Sequence, residues 1–307
     1  PVNESELQSL SSTVAGTVAS RLASRINHIT LLRYARATPG NSAAYDTWLR
    51  GHQLSRAWTI YANLQSQELF SRAIELDPGL ACSYASLASV LSTQSVVRPG
   101  YANAEQDRKR AFELAQKSIA LDPFDSRNHI AVAWNWLLVA SAQRAHSHFK
   151  LAVELNPYDS ETLIASAMGM AFIGNIDLAM QWSNTALELN PLHPEYFLIY
   201  LAGIRYFAGD YAGAVQTIRQ CPDMFLDKNA WAAAAHARLG ENEEAIAAHH
   251  AFVKAVSAEW QGLDPTSTAN LHAWLSRIVP VVWTQGRRNL EADLLRAHIM
   301  SILPPLG

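Results

Sequence analysis

The chain has 307 residues, 49% of them hydrophobic and 17% charged, with a formal net charge of −3 and a pI near 6.4. That balance leaves no basic footprint for direct nucleic-acid contact, and no apolar run reaches the ~18 residues a membrane helix needs. Cys82 and Cys221 are too far apart and too few for a disulfide framework, so both read as small packing residues.

Residues 1–40 form the first expected unit. Leu7, Leu10, Val14, Val18, Leu22, Ile26 and Ile29 recur at three- or four-residue steps, which predicts one amphipathic helix over 4–37 with a Ser/Thr/Arg face. Thr38-Pro39-Gly40-Asn41-Ser42 carries turn chemistry and is expected to end it. The repeat array is expected over 41–260. Its first hairpin runs from about Ala43 to Leu76, with a slightly long loop near Thr59 to Asn63. A second starts at Leu80 and closes at Asp122-Pro123. Pro99-Gly100 forbids a continuous helix there, and residues 92–105 are the place where extra chain leaves the stack as a loop. Two regular hairpins follow to Pro191. A fifth turns at Gly209-Asp210 and has a short second helix, and a sixth turns at Gly240. Residues 261–307 then supply about two capping helices, separated by Pro280 and Gln285-Gly286.

Asp122-Pro123, Asn156-Pro157 and Asn190-Pro191 stand 34 residues apart each time, with two helix-length apolar patterns between marks. A period in that range signifies a helical solenoid, because one repeat cannot hide its own apolar face and its neighbours must stack. Small residues sit where helices cross: Ala133, Ala145 and Ala152 in one unit, Ala167, Ala179 and Ala186 in the next. Trp136, Phe149 and Met170 are the large partners beside them. On these residues the chain resembles the tetratricopeptide repeat family. AYDTWLRG, LFSRAIELDP and the ending WLSRIVP through LLRAHIMSILPPLG look like the C-terminal repeat region of bacterial class III adenylate cyclases and related winged-helix transcription regulators. The resemblance implies an all-α, right-handed superhelix of about six hairpins with an N-terminal helix and C-terminal capping helices.

The search for chemistry gives little. There is no phosphate loop, HExxH, GxSxG or paired CxxC. His146 and His148 are about 200° apart on one helix, and His249 and His250 have no third ligand at helical spacing, so no metal, cofactor or catalytic set is expected. In the family, first helices line the concave groove. On the matching positions this chain offers Arg127, Ile130, Trp134, Leu138, Ile164, Met168, Phe172, Tyr196, Ile199, Tyr206 and Phe207. The alternative for any of them is core between repeats.

The expectation is a cytoplasmic, non-catalytic interaction module cut from a longer bacterial signalling or transcription-regulatory protein. It would hold a protein or peptide partner, an upstream effector domain of its own chain, its N-terminal helix or another copy of itself. The alternative is a sensor for a small apolar ligand. The first predicts no compact deep cavity, and the second an enclosed pocket.

Overall fold

The computed structural model describes residues 39–263 and 266–302, with the side chains of 39–41 and 299–302 left aside. The helix expected over 4–37 lies outside the described residues. Within them there are fourteen α-helices and no strand. Six consecutive pairs form antiparallel hairpins: α1 Pro39–Ser55 with α2 Ile60–Leu76, α3 Ala81–Val97 with α4 Ala104–Leu121, α5 Ser126–Leu138 with α6 Ala142–Leu155, α7 Ser160–Ile173 with α8 Ile176–Leu189, α9 Tyr196–Phe207 with α10 Tyr211–Ile218, and α11 Lys228–Leu239 with α12 Asn242–Ala258. Two more follow, α13 Thr268–Ile278 and α14 Thr284–Ile302.

The punctuation works through backbone sterics. A residue before proline is pushed from the helical to the extended region. Asp77 and Asp122 take it and Asn156 and Asn190 also leave the helical region, all with φ between −136° and −145°, and each still donates its N–H to the carbonyl four residues back. Several helices start on side-chain caps. Asp159 accepts from the N–H groups of Glu161 and Thr162, Asn175 from Leu178 and Asp210 from Gly213. Ala73, Ala111, Ala145, Ala152, Ala179, Ala186, Ala214 and Ala245 are all fully buried, which is the close approach their size permits.

Four sequence expectations are corrected. Residues 39–42 are the first turn of α1, since proline is tolerated where no helical N–H partner is needed. The loop before α2 ends sooner, because Thr59 caps the helix with its hydroxyl, 3.2 Å from the Ala62 N. The extra residues of the second unit do not all leave as a loop. They lengthen α3 and α4 by about one turn each relative to α5 and α6, leaving 98–103 as the connection. Gln285-Gly286 falls inside α14.

The C-terminal segment does more than cap. α14 covers α11 and α12, but α13 and the chain around it cross to the early repeats. The Trp274 indole donates to the Ser95 carbonyl at 2.6 Å, the Gln261 N–H to Pro99 O at 2.8 Å, and Arg98 Nε to Gln261 Oε1 at 2.8 Å. Val282 N donates to Phe172 O at 2.9 Å. The curve of the array thus brings its last segment against its second hairpin.

Candidate functional site: the central cavity

Between these facing parts lies a cavity of about 1460 Å³. Its wall is built by the inner faces of α1, α3, α5, α7 and α9, by the chain between α10 and α11, and by residues 278–280. Of the eleven residues expected in the groove, Arg127, Ile130, Trp134, Leu138, Met168, Phe172, Tyr196 and Ile199 line it. Three do not. Ile164 is fully buried in the core between repeats. Tyr206 is 3% exposed and its hydroxyl donates to Asp293 of α14, which also accepts from Arg238 Nε at 2.7 Å. Phe207 packs by its ring against Phe172, Tyr206, Trp231 and Trp283. The last two are inter-helix struts rather than groove residues.

Trp58, Tyr200 and Asp227 also line the cavity and were missed in the sequence. Trp58 sits in the α1–α2 loop at φ 50° and reaches Tyr196 and Phe225, with ring centroids 6.4 and 6.0 Å apart. Its signal was weak, because a tryptophan in a loop has no repeat register to place it. Tyr200 continues the wall, 5.8 Å from Tyr196 and 6.2 Å from Trp134. Asp227 accepts from the Trp231 indole at 3.0 Å.

The charges of the wall are mostly paired. Arg127 forks onto Asp125, with Nε 2.9 Å from Oδ1, and lies over the Trp48 ring at 5.2 Å. Burial opposes both charges, but their mutual attraction and hydrogen bonds outweigh it, holding the Asp125 carboxyl low and the guanidinium firmly charged. Arg56 pairs with Glu161 across repeats. His52, stacked on Trp48, is pulled down to about 4 by burial and then by Arg56 and Arg127, so it is neutral at pH 7. Burial raises the carboxyls of Asp159 and Asp227 and the phenols of Tyr196 and Tyr200. Such a wall can hold an occupant by apolar contact and charge.

Outside the cavity, His148 meets His129 of the neighbouring helix, Nδ1 to Nδ1 at 3.0 Å, rather than His146. His249, His272 and His298 converge from α12, α13 and α14, with His249 Nε2 3.3 Å from His272 Nε2. Among the described residues no three His, Cys, Asp or Glu side chains are placed to hold a metal ion. No helix among them is long and apolar enough to cross a membrane.

Fold and cavity together define a tetratricopeptide-type helical solenoid curved around a central space. No family model matches the chain. Among solved structures, that of the APC/C hetero-tetramer Cut9–Hcn1 aligns with 89% of this chain and 56% of its own at 15% identity, with a TM-score of 0.51. PilW, described as a widely conserved type IV pilus biogenesis factor, aligns over 67% of this chain and 90% of its own at 13% identity and a TM-score of 0.47. A tetratricopeptide repeat protein of Parabacteroides merdae aligns over 84% and 93% at 14% identity and 0.43. In sequence, a protein of Rhizobium meliloti (strain 1021) named as a candidate adenylate cyclase is 26% identical over 96 residues, which are 31% of this chain and 16% of that protein.

Proposed function

We propose that this chain is a non-catalytic binding module that holds a segment of a partner protein, or of an effector domain in the same polypeptide, inside its central cavity. The observation that carries the reading is the cavity itself, walled by first helices of successive hairpins rather than by one of them. Its volume exceeds the ~300–1,000 Å³ usual for small-molecule pockets and suits an extended peptide or a helical turn. The expectation that a peptide-holding groove would have no deep cavity does not hold, because an array curved far enough for its ends to meet encloses space whatever fills it.

The partial likeness to a cyclase-named protein supports a place within a larger bacterial signalling protein, for which we propose the C-terminal end and the cytoplasm. The winged-helix part of the sequence resemblance has no such support. The purified chain should melt higher with a partner peptide and not with a metabolite library, and the full-length gene product should carry an adjacent signalling domain. A sensor for a small apolar ligand is the second reading. It is favoured by the aromatic side chains that meet on the wall, among them Trp58 and Phe225. A thermal shift from a metabolite alone would select it.

A further inference from the structure

Resting on the peptide-holding reading, we propose that the segment seated in the cavity is apolar with a lysine or arginine, whose cationic head is received by Asp227 against the Tyr200 and Trp231 rings. The argument is one of charge left over. Arg127 is taken by Asp125 and Arg56 by Glu161. Asp159 is spent on the cap of α7, accepting from two backbone N–H groups and from the Thr162 hydroxyl at 2.7 Å. Asp227 accepts from the Trp231 indole and from its own backbone N–H, and among the described residues no cationic side chain pairs with it. Asp122, which accepts from the Phe124 N–H in its turn, has no ion-pair partner among them either, and it is the company of the Trp231 and Tyr200 rings that sets Asp227 apart. The neighbouring Lys228 does not answer it, because its ammonium is held by Asp223 and the Cys221 carbonyl.

The run of rings that passes beside Asp227 at Tyr200 strengthens the preference. Trp134, Tyr200, Tyr196, Trp58 and Phe225 follow one another with centroids 5.8 to 6.4 Å apart, and aromatic faces carry negative potential that attracts ammonium and guanidinium groups. An anion would find neither guanidinium of the wall free. Burial already lifts the Asp227 carboxyl, opposed only by the hydrogen bonds from the Trp231 indole and its own N–H. An incoming positive group would restore its ionised form and be held by it.

The test selects phage-displayed random dodecapeptides on the intact 307-residue chain and, in parallel, on Asp227→Asn. Asparagine still accepts from Trp231, so an unchanged helical circular-dichroism spectrum is expected of the variant. The wild-type chain should enrich apolar peptides bearing Lys or Arg, and the variant should lose that basic preference. A synthetic winner should bind Asp227→Asn on the order of thirty-fold more weakly. Replacing its basic residue by norleucine should cost the wild-type chain a similar factor and the variant almost nothing. Tyr200→Leu should likewise weaken the basic peptide more than its norleucine twin. Enrichment of acidic or uncharged peptides, or equal binding by Asp227→Asn, overturns this inference and leaves peptide holding intact. Failure to enrich any peptide overturns the peptide-holding reading beneath it.

Discussion

Two aromatic residues that look equivalent in sequence have different duties. Trp134 faces the cavity and touches Phe149, Phe172 and Tyr200 by edge or tilted contacts. Phe207 is wedged among Phe172, Trp231 and Trp283. Trp134→Ala should therefore weaken partner capture with helicity retained, whereas Phe207→Ala should destabilise the chain by about 3 kcal/mol. Titration against a fixed peptide and urea unfolding would separate them, and loss of binding without loss of stability in Phe207→Ala would reverse the assignment. The groove position of Trp134 was legible from its place on a first helix. That of Phe207 was not, since its neighbours come from α7, α11 and the start of α14, and no periodicity announces such a meeting.

The histidines at the C-terminal end make a second residue-scale prediction. His249 is pulled to about 4 by burial and then by His272, His298 and His250, and burial followed by His298 lowers His272. The folded chain keeps these rings neutral, while the unfolded chain protonates them near their ordinary value of about 6.5. Their pKa is depressed on folding, so their contribution is complete above about 6.5 and is lost as pH falls toward 4. The melting temperature should fall between pH 7 and pH 5, and His249→Gln should flatten that slope. Equal slopes in both proteins would show that the cluster is not the cause.

At the scale of the element, the hairpins were readable because many boundaries have a local cause: a proline that drives its predecessor out of the helix, a capping Asp or Asn, a glycine at positive φ. Gly174 is the sharpest of these. It sits at φ 96° after α7, and a Cβ there would lie 2.8 Å from Trp283 Cγ. Gly174→Ala should cost more than the ~1 kcal/mol of a left-handed alanine alone, because it also displaces Trp283 from the mouth of α14. Gly169 has a different reason to be glycine, since a methyl in the middle of α7 would overlap the Phe149 ring of α6. Denaturant unfolding of both variants checks these costs. The lengths of α3 and α4 could not be read the same way. Residues 92–97 carry no breaker, so nothing in the sequence distinguished a longer helix from a longer loop until Pro99.

At the scale of the molecule, the curvature of the array was the least legible feature. It accumulates from small rotations at every hairpin, and no single residue encodes it. Its result is that Trp274 and Gln261 meet residues 95–99, some 160 or more positions earlier in the chain. Trp274→Phe keeps the ring but removes the indole donor to Ser95. It should cost about 1 kcal/mol and, more tellingly, raise the radius of gyration in small-angle scattering as the C-terminal segment swings from α3. An unchanged radius would mean that the remaining bonds at Pro99 and Phe172 suffice.

A helical-repeat array with loose tips behaves like a spring, extending under load and melting inward from whichever tip is weaker. Here the second hairpin is latched to the segment that follows the sixth, and the first is tethered inward by Arg56 on Glu161 and by Trp58 on Tyr196. Under a steady pull between residues 95 and 274, the latch must rupture before the third to sixth hairpins can peel. The force trace should then show one dominant peak in place of the staircase of an open stack.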